Sequence, residues 1–141
     1  MTVFTKIIDG EIPGRFVWSD ARCVAFLTAE PLQPGHTLVV SREEIDHWLD
    51  VPDDLAQHLY TVARHIGRAQ REAFDPARIG LLIEGYGVPH VHLHVWPSRS
   101  TADFDPANVD RDPDPAAQDE AAERLREALR RQGHQQFVPE P

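Results

Sequence analysis

The sequence predicts an α+β domain in which a mainly antiparallel, five-stranded sheet carries one long helix and a C-terminal helix. Three short apolar segments come first, a single long stretch with helical periodicity follows, and two further apolar segments precede a second helical stretch. Because the strands are grouped and do not alternate one by one with helices, an antiparallel sheet is favoured over a parallel one.

The N-terminal part of the chain contains the first three predicted strands. Residues 3–8 form a short apolar segment that suits either one helical turn or a strand. Strands are predicted at 15–18 and 23–27, on either side of a Ser19-Asp20 turn, and a third at 36–40.

The clearest helix is predicted between Pro52 and Ala73. Its apolar side chains recur at steps of four and three residues, at Leu55, Leu59, Val62, Ile66, Ala69 and Ala73. Pro52 suits a first helical turn, and the Asp75-Pro76 pair predicts the end of the helix.

The fourth strand is predicted at 79–83 and the fifth at 90–96. The fourth is apolar throughout, which predicts a central position in the sheet. Residues 98–113 are rich in Asp and Pro and predict an extended loop.

A second helix is predicted at about 115–132, between Asp114 as its N-cap and Gly133 just past its end. Its apolar stripe is weak, which predicts loose docking or packing against a partner. We therefore divide the chain into a core, residues 1–97, and a C-terminal extension, residues 98–141.

Composition excludes several classes of protein. The formal net charge of −9 argues against a surface for nucleic acid or an anionic membrane, because such surfaces are basic. The single cysteine, Cys23, rules out a disulfide within the chain and predicts a location in the reducing cytoplasm. The N-terminal residues contain no apolar stretch of the kind found in signal peptides.

The most informative segment holds three alternating histidines, His90, His92 and His94. Alternate strand residues share a face, so the three rings are predicted to project together. A solvated face and a metal site are the competing interpretations, but no Cys cluster or HExxH pattern completes a metal site. A neutral imidazole is a good nucleophile at phosphorus, and the central His92 has a histidine on each side to support it.

The segment HVHLHVW, with FTKIIDGEIP and VAFLTAEPLQPGHTLVV before it, resembles the histidine triad (HIT) family. The resemblance covers about residues 3–97 and implies a HIT-like fold. It also implies a nucleotide-conjugate hydrolase, acting on a nucleoside phosphoramidate or a dinucleotide. In such an enzyme His92 forms a nucleotidyl-histidine intermediate, and a nucleoside monophosphate such as AMP is released. The related uridylyltransferase branch has Gln at the position of His94, which argues against that branch.

The resemblance also implies roles for other residues. His90 orients the nucleophile, His94 contacts the phosphate, and His36 completes the cluster. The residues matching the family's nucleotide pocket are Val3, Phe4, Ile7, Phe26, Leu27 and Thr28, and the glycines Gly85 and Gly87 offer backbone amides to an anion. No cofactor is implied, and the expected partners are a purine nucleotide or its conjugate and a second copy of the chain, with the helix at 52–73 at the contact.

Three departures from the family pattern stand out, and two of them, Thr28 and the short segment at 83–89 before the triad, keep a regulatory alternative open. Thr28 stands where many members have an Asp that binds the ribose. Some members hold zinc with two N-terminal cysteines and two histidines, but here the two cysteine positions are Thr2 and Thr5 and the first histidine position is Glu44, so no such zinc is predicted. The alternatives are a nucleotide-binding regulatory protein with little catalysis and a metal-dependent hydrolase that uses the triad as ligands.

Overall fold

The computed structural model describes all 141 residues. Five strands form one antiparallel sheet in the order β1-β2-β3-β5-β4, which confirms the predicted fold class. The strands are β1 (Phe16–Ser19), β2 (Cys23–Leu27), β3 (Thr37–Ser41), β4 (Arg78–Leu82) and β5 (His92–Ser98). The helices are α1 (Val3–Ile8), α2 (Asp53–Phe74) and α3 (Pro115–Arg131).

The observed elements differ from the predicted ones mainly at their ends. The segment that suited either a turn or a strand is helical, and the Thr2 side chain caps α1 by accepting from the backbone N–H of Thr5. Strand β5 begins at His92, two residues later than predicted, because His90 and Val91 pair with other parts of the chain.

The predicted central position of the fourth strand is wrong. Strand β4 lies at the edge of the sheet and pairs only with β5. Its side chains Leu81 and Leu82 are 46% and 42% exposed, so its apolar run is not explained by burial within this chain. An exposed apolar edge strand offers unpaired backbone groups to another chain.

The larger core lies on the face of the sheet that α2 and α3 cover. Helix α3 does not dock loosely, as its weak stripe predicted. Leu125 and Leu129 are fully buried, and small residues such as Ala122 let the helix approach α2 and β1 closely. Gln118 of α3 also donates to the backbone oxygen of Thr28, so the C-terminal extension is tied to the N-terminal half.

A smaller apolar cluster, formed by Phe4, Val24, Phe26, Leu38 and Val40, lies on the opposite face beneath α1. The rest of that face is left open by the helices, and the histidines lie there. No helix of this chain combines the length and apolar character that crossing a membrane requires.

Candidate active site

Strand β5 places the histidines beside the small apolar cluster. His92 pairs with Val40 of β3, and His94 pairs with Leu38. The alternation of the strand sends Leu93 and Val95 into the larger core on the other face. The ring of His92 meets the ring of Phe4 edge-on, with centroids 4.8 Å apart, so α1 packs directly against the central histidine.

The hydrogen bonds of His92 leave one ring nitrogen with a lone pair. Its Nδ1 lies 2.7 Å from the backbone oxygen of His90, which can only accept. Nδ1 therefore carries the proton, and Nε2 of the neutral ring is the unprotonated nitrogen. The ring is 5% exposed and borders a cavity, so this nitrogen is accessible to a small ligand.

The ring of His90 is held at both nitrogens. Nε2–H donates to the backbone oxygen of Ser41 at 2.7 Å, so in the neutral ring Nδ1 accepts from the hydroxyl of Thr2, also at 2.7 Å. The ring is fully buried, so His90 reaches the cavity through its backbone carbonyl and the His92 ring.

His36 and His94 form a second chain of hydrogen bonds. The backbone N–H of Leu32 donates to Nδ1 of His36 at 3.0 Å, which places the His36 proton on Nε2. That Nε2–H donates to Nδ1 of His94 at 3.0 Å. His94 consequently carries its own proton on Nε2, the nitrogen that remains to contact a ligand.

Burial keeps these rings neutral. It lowers the pKa of His36 to about 3 and that of His94 to about 4, and a neighbouring histidine adds to the effect in each case. Burial also lowers the pKa of His92, although the hydrogen bond to His90 and the charge of Glu84 oppose it. At neutral pH the site therefore combines the unprotonated Nε2 of His92 with the neutral Nε2–H donor of His94.

A cavity of about 480 Å³ opens beside His92 and His94. This volume falls within the range of about 300–1,000 Å³ that small-molecule sites occupy. Of the predicted nucleotide-binding residues it contains Val3, Phe4, Ile7, Phe26, Leu27, Thr28 and Gly87. Leu27 also belongs to the larger core, and Gly85 lies instead in a smaller cleft beside His92.

A second cavity of about 410 Å³ adjoins the first on the side of His36. The two share four lining residues, Thr28, Glu30, Glu84 and His94. Trp96 lines the second cavity, and Phe104 of the C-terminal extension packs against the Trp96 ring with centroids 5.0 Å apart. Together the cavities form one cleft, with the histidines near its middle.

The residues at the family's zinc positions do not fit a zinc ion. Thr2, Thr5 and Glu44 do converge on His90, but direct hydrogen bonds of 2.5–2.7 Å already join them. Structural zinc sites use thiolates and imidazoles, and threonine hydroxyls are not among the usual ligands.

Sequence reasoning did not assign Thr2 or Ser41 to the site as partners of His90. Thr2 lies 88 residues from His90, and no local pattern indicates the pairing. Phe104 was also missed, because its segment has the composition of an ordinary loop. Glu84 also lies beside the site, and its charge acts to raise the pKa of His92 against the effect of burial.

Comparison with known proteins points to one family. The HIT domain model matches residues 9–101. An uncharacterized HIT-like protein from Saccharolobus solfataricus is 36% identical over 105 residues, which cover 71% of this chain and 76% of that protein. An uncharacterized HIT-like protein from Mycobacterium tuberculosis is 33% identical over 139 residues, covering 92% and 94% of the two chains.

The solved structures agree with the sequence relatives. The crystal structure of a zinc-bound histidine triad family protein from Mycobacterium smegmatis has a TM-score of 0.80 and 29% identity, and the match covers 92% of this chain and 94% of that one. The similarity therefore extends through the C-terminal helix as well as the triad.

Proposed function

The chain belongs to the HIT domain family, and from that premise we propose that it hydrolyses nucleotide conjugates at the α-phosphate with His92 as the nucleophile. The observation that carries the proposal is the unprotonated Nε2 of His92 at the edge of a cavity of about 480 Å³. A neutral imidazole with its other nitrogen tied to a carbonyl is prepared to attack phosphorus.

The first step forms one bond and breaks another. The Nε2 lone pair of His92 bonds to the α-phosphorus, and the leaving group departs with its bonding electrons and takes a proton from water. The new nucleotidyl-imidazolium is stabilised by its Nδ1–H, which donates to the oxygen of His90. Nε2–H of His94 donates to a phosphate oxygen and stabilises the charge that develops there.

The second step returns the enzyme to its starting state. A water molecule attacks phosphorus and gives a proton to the hydroxide that the first step left, the P–N bond breaks, and its electrons return to Nε2 of His92. The products are a nucleoside monophosphate and the neutral imidazole.

We expect the cleft to bind the nucleoside on one side of the histidines and the leaving group on the other. The larger cavity is apolar where Phe4 and Phe26 line it, which suits a purine base. Thr28, in place of the Asp of many relatives, offers one hydroxyl to the ribose.

The second cavity favours an amine over a second nucleotide as the leaving group. Its lining includes the carboxylates of Glu30 and Glu84 but neither lysine nor arginine. Arg111 pairs with Glu30 at 3.3 Å, but the Glu84 carboxylate has no such partner and would repel a polyphosphate placed there. The proposed substrates are therefore nucleoside phosphoramidates.

The test uses adenosine 5′-phosphoramidate with the full chain. We expect AMP release that survives a strong chelator, is abolished by His92→Ala and is retained in the matched control His134→Ala, which changes a histidine outside the cleft. AMP binding should persist in His92→Ala. Loss of turnover on chelation would support the metal-dependent alternative, and AMP binding without turnover of any conjugate would support a regulatory role.

The same proposal includes a homodimer in the cytoplasm. The exposed Leu81 on the edge strand β4 borders an apolar groove that also contains Trp48 and Tyr60, which are 52% and 53% exposed. Pairing β4 with β4 of a second copy would extend the sheet across the interface. It would also bury these side chains and bring α2 into the contact. Leu81→Arg should convert a dimer to a monomer in sedimentation experiments, whereas a wild-type monomer at high concentration would contradict the dimer.

A further inference from the structure

Four residues from three separate parts of the sequence converge beside the central histidine: Thr2, Thr5, Glu44 and His90, here called the N-terminal clamp. We propose that the N-terminal clamp is a positioning device that fixes the carbonyl of His90 and thereby the protonation and aim of the His92 ring. This role rests on the proposed function of His92.

The N-terminal clamp is a continuous set of hydrogen bonds. Oε1 of Glu44 accepts from the backbone N–H of Thr2 at 2.7 Å and from the hydroxyl of Thr5 at 2.5 Å. The hydroxyl of Thr2 then donates to Nδ1 of His90 at 2.7 Å, while its oxygen accepts from the backbone N–H of Thr5 at 3.3 Å. Glu44 therefore holds the turn that presents the Thr2 hydroxyl.

The ring of His90 has no hydrogen-bonding capacity left for a ligand. Nδ1 is occupied by Thr2 and Nε2–H by the oxygen of Ser41, in a fully buried position. The one polar connection from His90 to the reacting ring is its backbone oxygen, which accepts from Nδ1–H of His92. Holding the His90 ring from both ends restrains the backbone that carries this oxygen.

The carboxylate of Glu44 is suited to an anchoring role. The hydrogen bond from Thr5, and then that from Thr2, lower the pKa of Glu44, so the group stays ionised and accepts from both. Hydrogen bonds to an ionised acceptor are the stronger ones, which keeps α1 in place against His90.

Removing the Thr2 hydroxyl should therefore act on chemistry and spare substrate binding. In Thr2→Val the Nδ1 of His90 has no donor, and the His90 carbonyl is restrained from one side only. Mutation of a residue that orients a metal-bound histidine typically lowers metal affinity or activity by about 10- to 100-fold. We expect a fall of about that size in kcat, with little change in KM and recovery in Thr2→Ser.

The experiment measures kcat, KM and the ring ¹⁵N shifts of His90 and His92 in the full chain, with adenosine 5′-phosphoramidate as substrate. Thr61→Val, on the exposed surface of α2, and Glu43→Gln, beside Glu44, are the matched controls and should behave as wild type. Glu44→Gln keeps an acceptor without the charge and should lose less activity than Glu44→Ala. In wild type, Nδ1 of His92 and Nε2 of His90 should carry the protons.

The ring shifts keep this test separate from that of the proposed function. A wild type that turns over no conjugate would refute the proposed function, and the N-terminal clamp would still stand if Thr2→Val shifted both ring signals. If Thr2→Val lowered thermal stability but left kcat and the His92 shifts unchanged, the positioning role would be overturned. Failure of Thr2→Ser to restore kcat would overturn it as well.

Discussion

Both ring nitrogens of His36 are occupied, one by the amide of Leu32 and one by His94, and this predicts a specific result in a double-mutant cycle. His36→Phe keeps an aromatic ring between His94 and Trp96, whose centroids lie 5.2 and 5.4 Å from that of His36, but removes both ring nitrogens. His94→Phe removes the proposed donor to the phosphate. Because one chain of hydrogen bonds joins them, the two substitutions should not act independently.

The magnitudes follow from what each variant loses. Loss of one preorganised donor to a developing oxyanion costs about 100- to 1,000-fold in rate, which we expect for His94→Phe. His36→Phe leaves the His94 donor in place but removes the partner that orients it. By analogy with other orienting hydrogen bonds, we expect the rate to fall about 10- to 100-fold. The double variant should match His94→Phe alone, so the coupling energy equals the His36 effect, about 1.4–2.7 kcal/mol.

The assay is single-turnover release of the leaving group from an adenosine phosphoramidate by the four proteins. His36→Phe also leaves the backbone N–H of Leu32 without its acceptor, at a cost of about 1–3 kcal/mol in the free energy of unfolding. Rates must therefore be compared at a temperature where circular dichroism shows all four to be folded. If the two losses in rate multiplied in the double variant, the proposed coupling of His36 to His94 would be refuted.

Three further predictions concern pH, packing and the leaving group. Burial lowers the pKa of His92 below its usual 6.5, so the single-turnover rate should stay level from pH 8 to 6.5 and fall only at lower pH; an inflection above 6.5 would contradict the assignment. Gly80→Ala would place a Cβ 2.4 Å from the buried Trp96 ring and should lower the free energy of unfolding by about 1–3 kcal/mol in urea titrations, whereas Gly87→Ala, with no neighbour within 4 Å, should not. Phe104→Ala should raise KM for conjugates of aromatic amines but not for the unsubstituted phosphoramidate, and equal effects on both would exclude Phe104 from the leaving-group side.

The fold was predictable to the extent that each element carries its own signal. The recurrence of Leu55, Leu59, Val62 and Ile66 predicted helix α2, and all four are buried in the larger core. The position of β4 was not predictable, because an apolar strand has the same sequence pattern whether it is covered by its own chain or by another one. The depth of α3 was underestimated because alanines add little to an apolar stripe, yet they allow helices to approach closely.

Alternation along one strand was enough to place His92 and His94 on one face and to single out the central ring, since side-chain direction in a strand is a local property. Tertiary structure decided which nitrogen of His90 and of His94 carries a proton. For His90 it depends on the oxygen of Ser41 and the hydroxyl of Thr2, and for His94 on Nε2 of His36, and all three partners come from distant parts of the chain. A hydrogen bond is set by distance in space, and separations of up to 88 residues leave no trace of it in a local pattern.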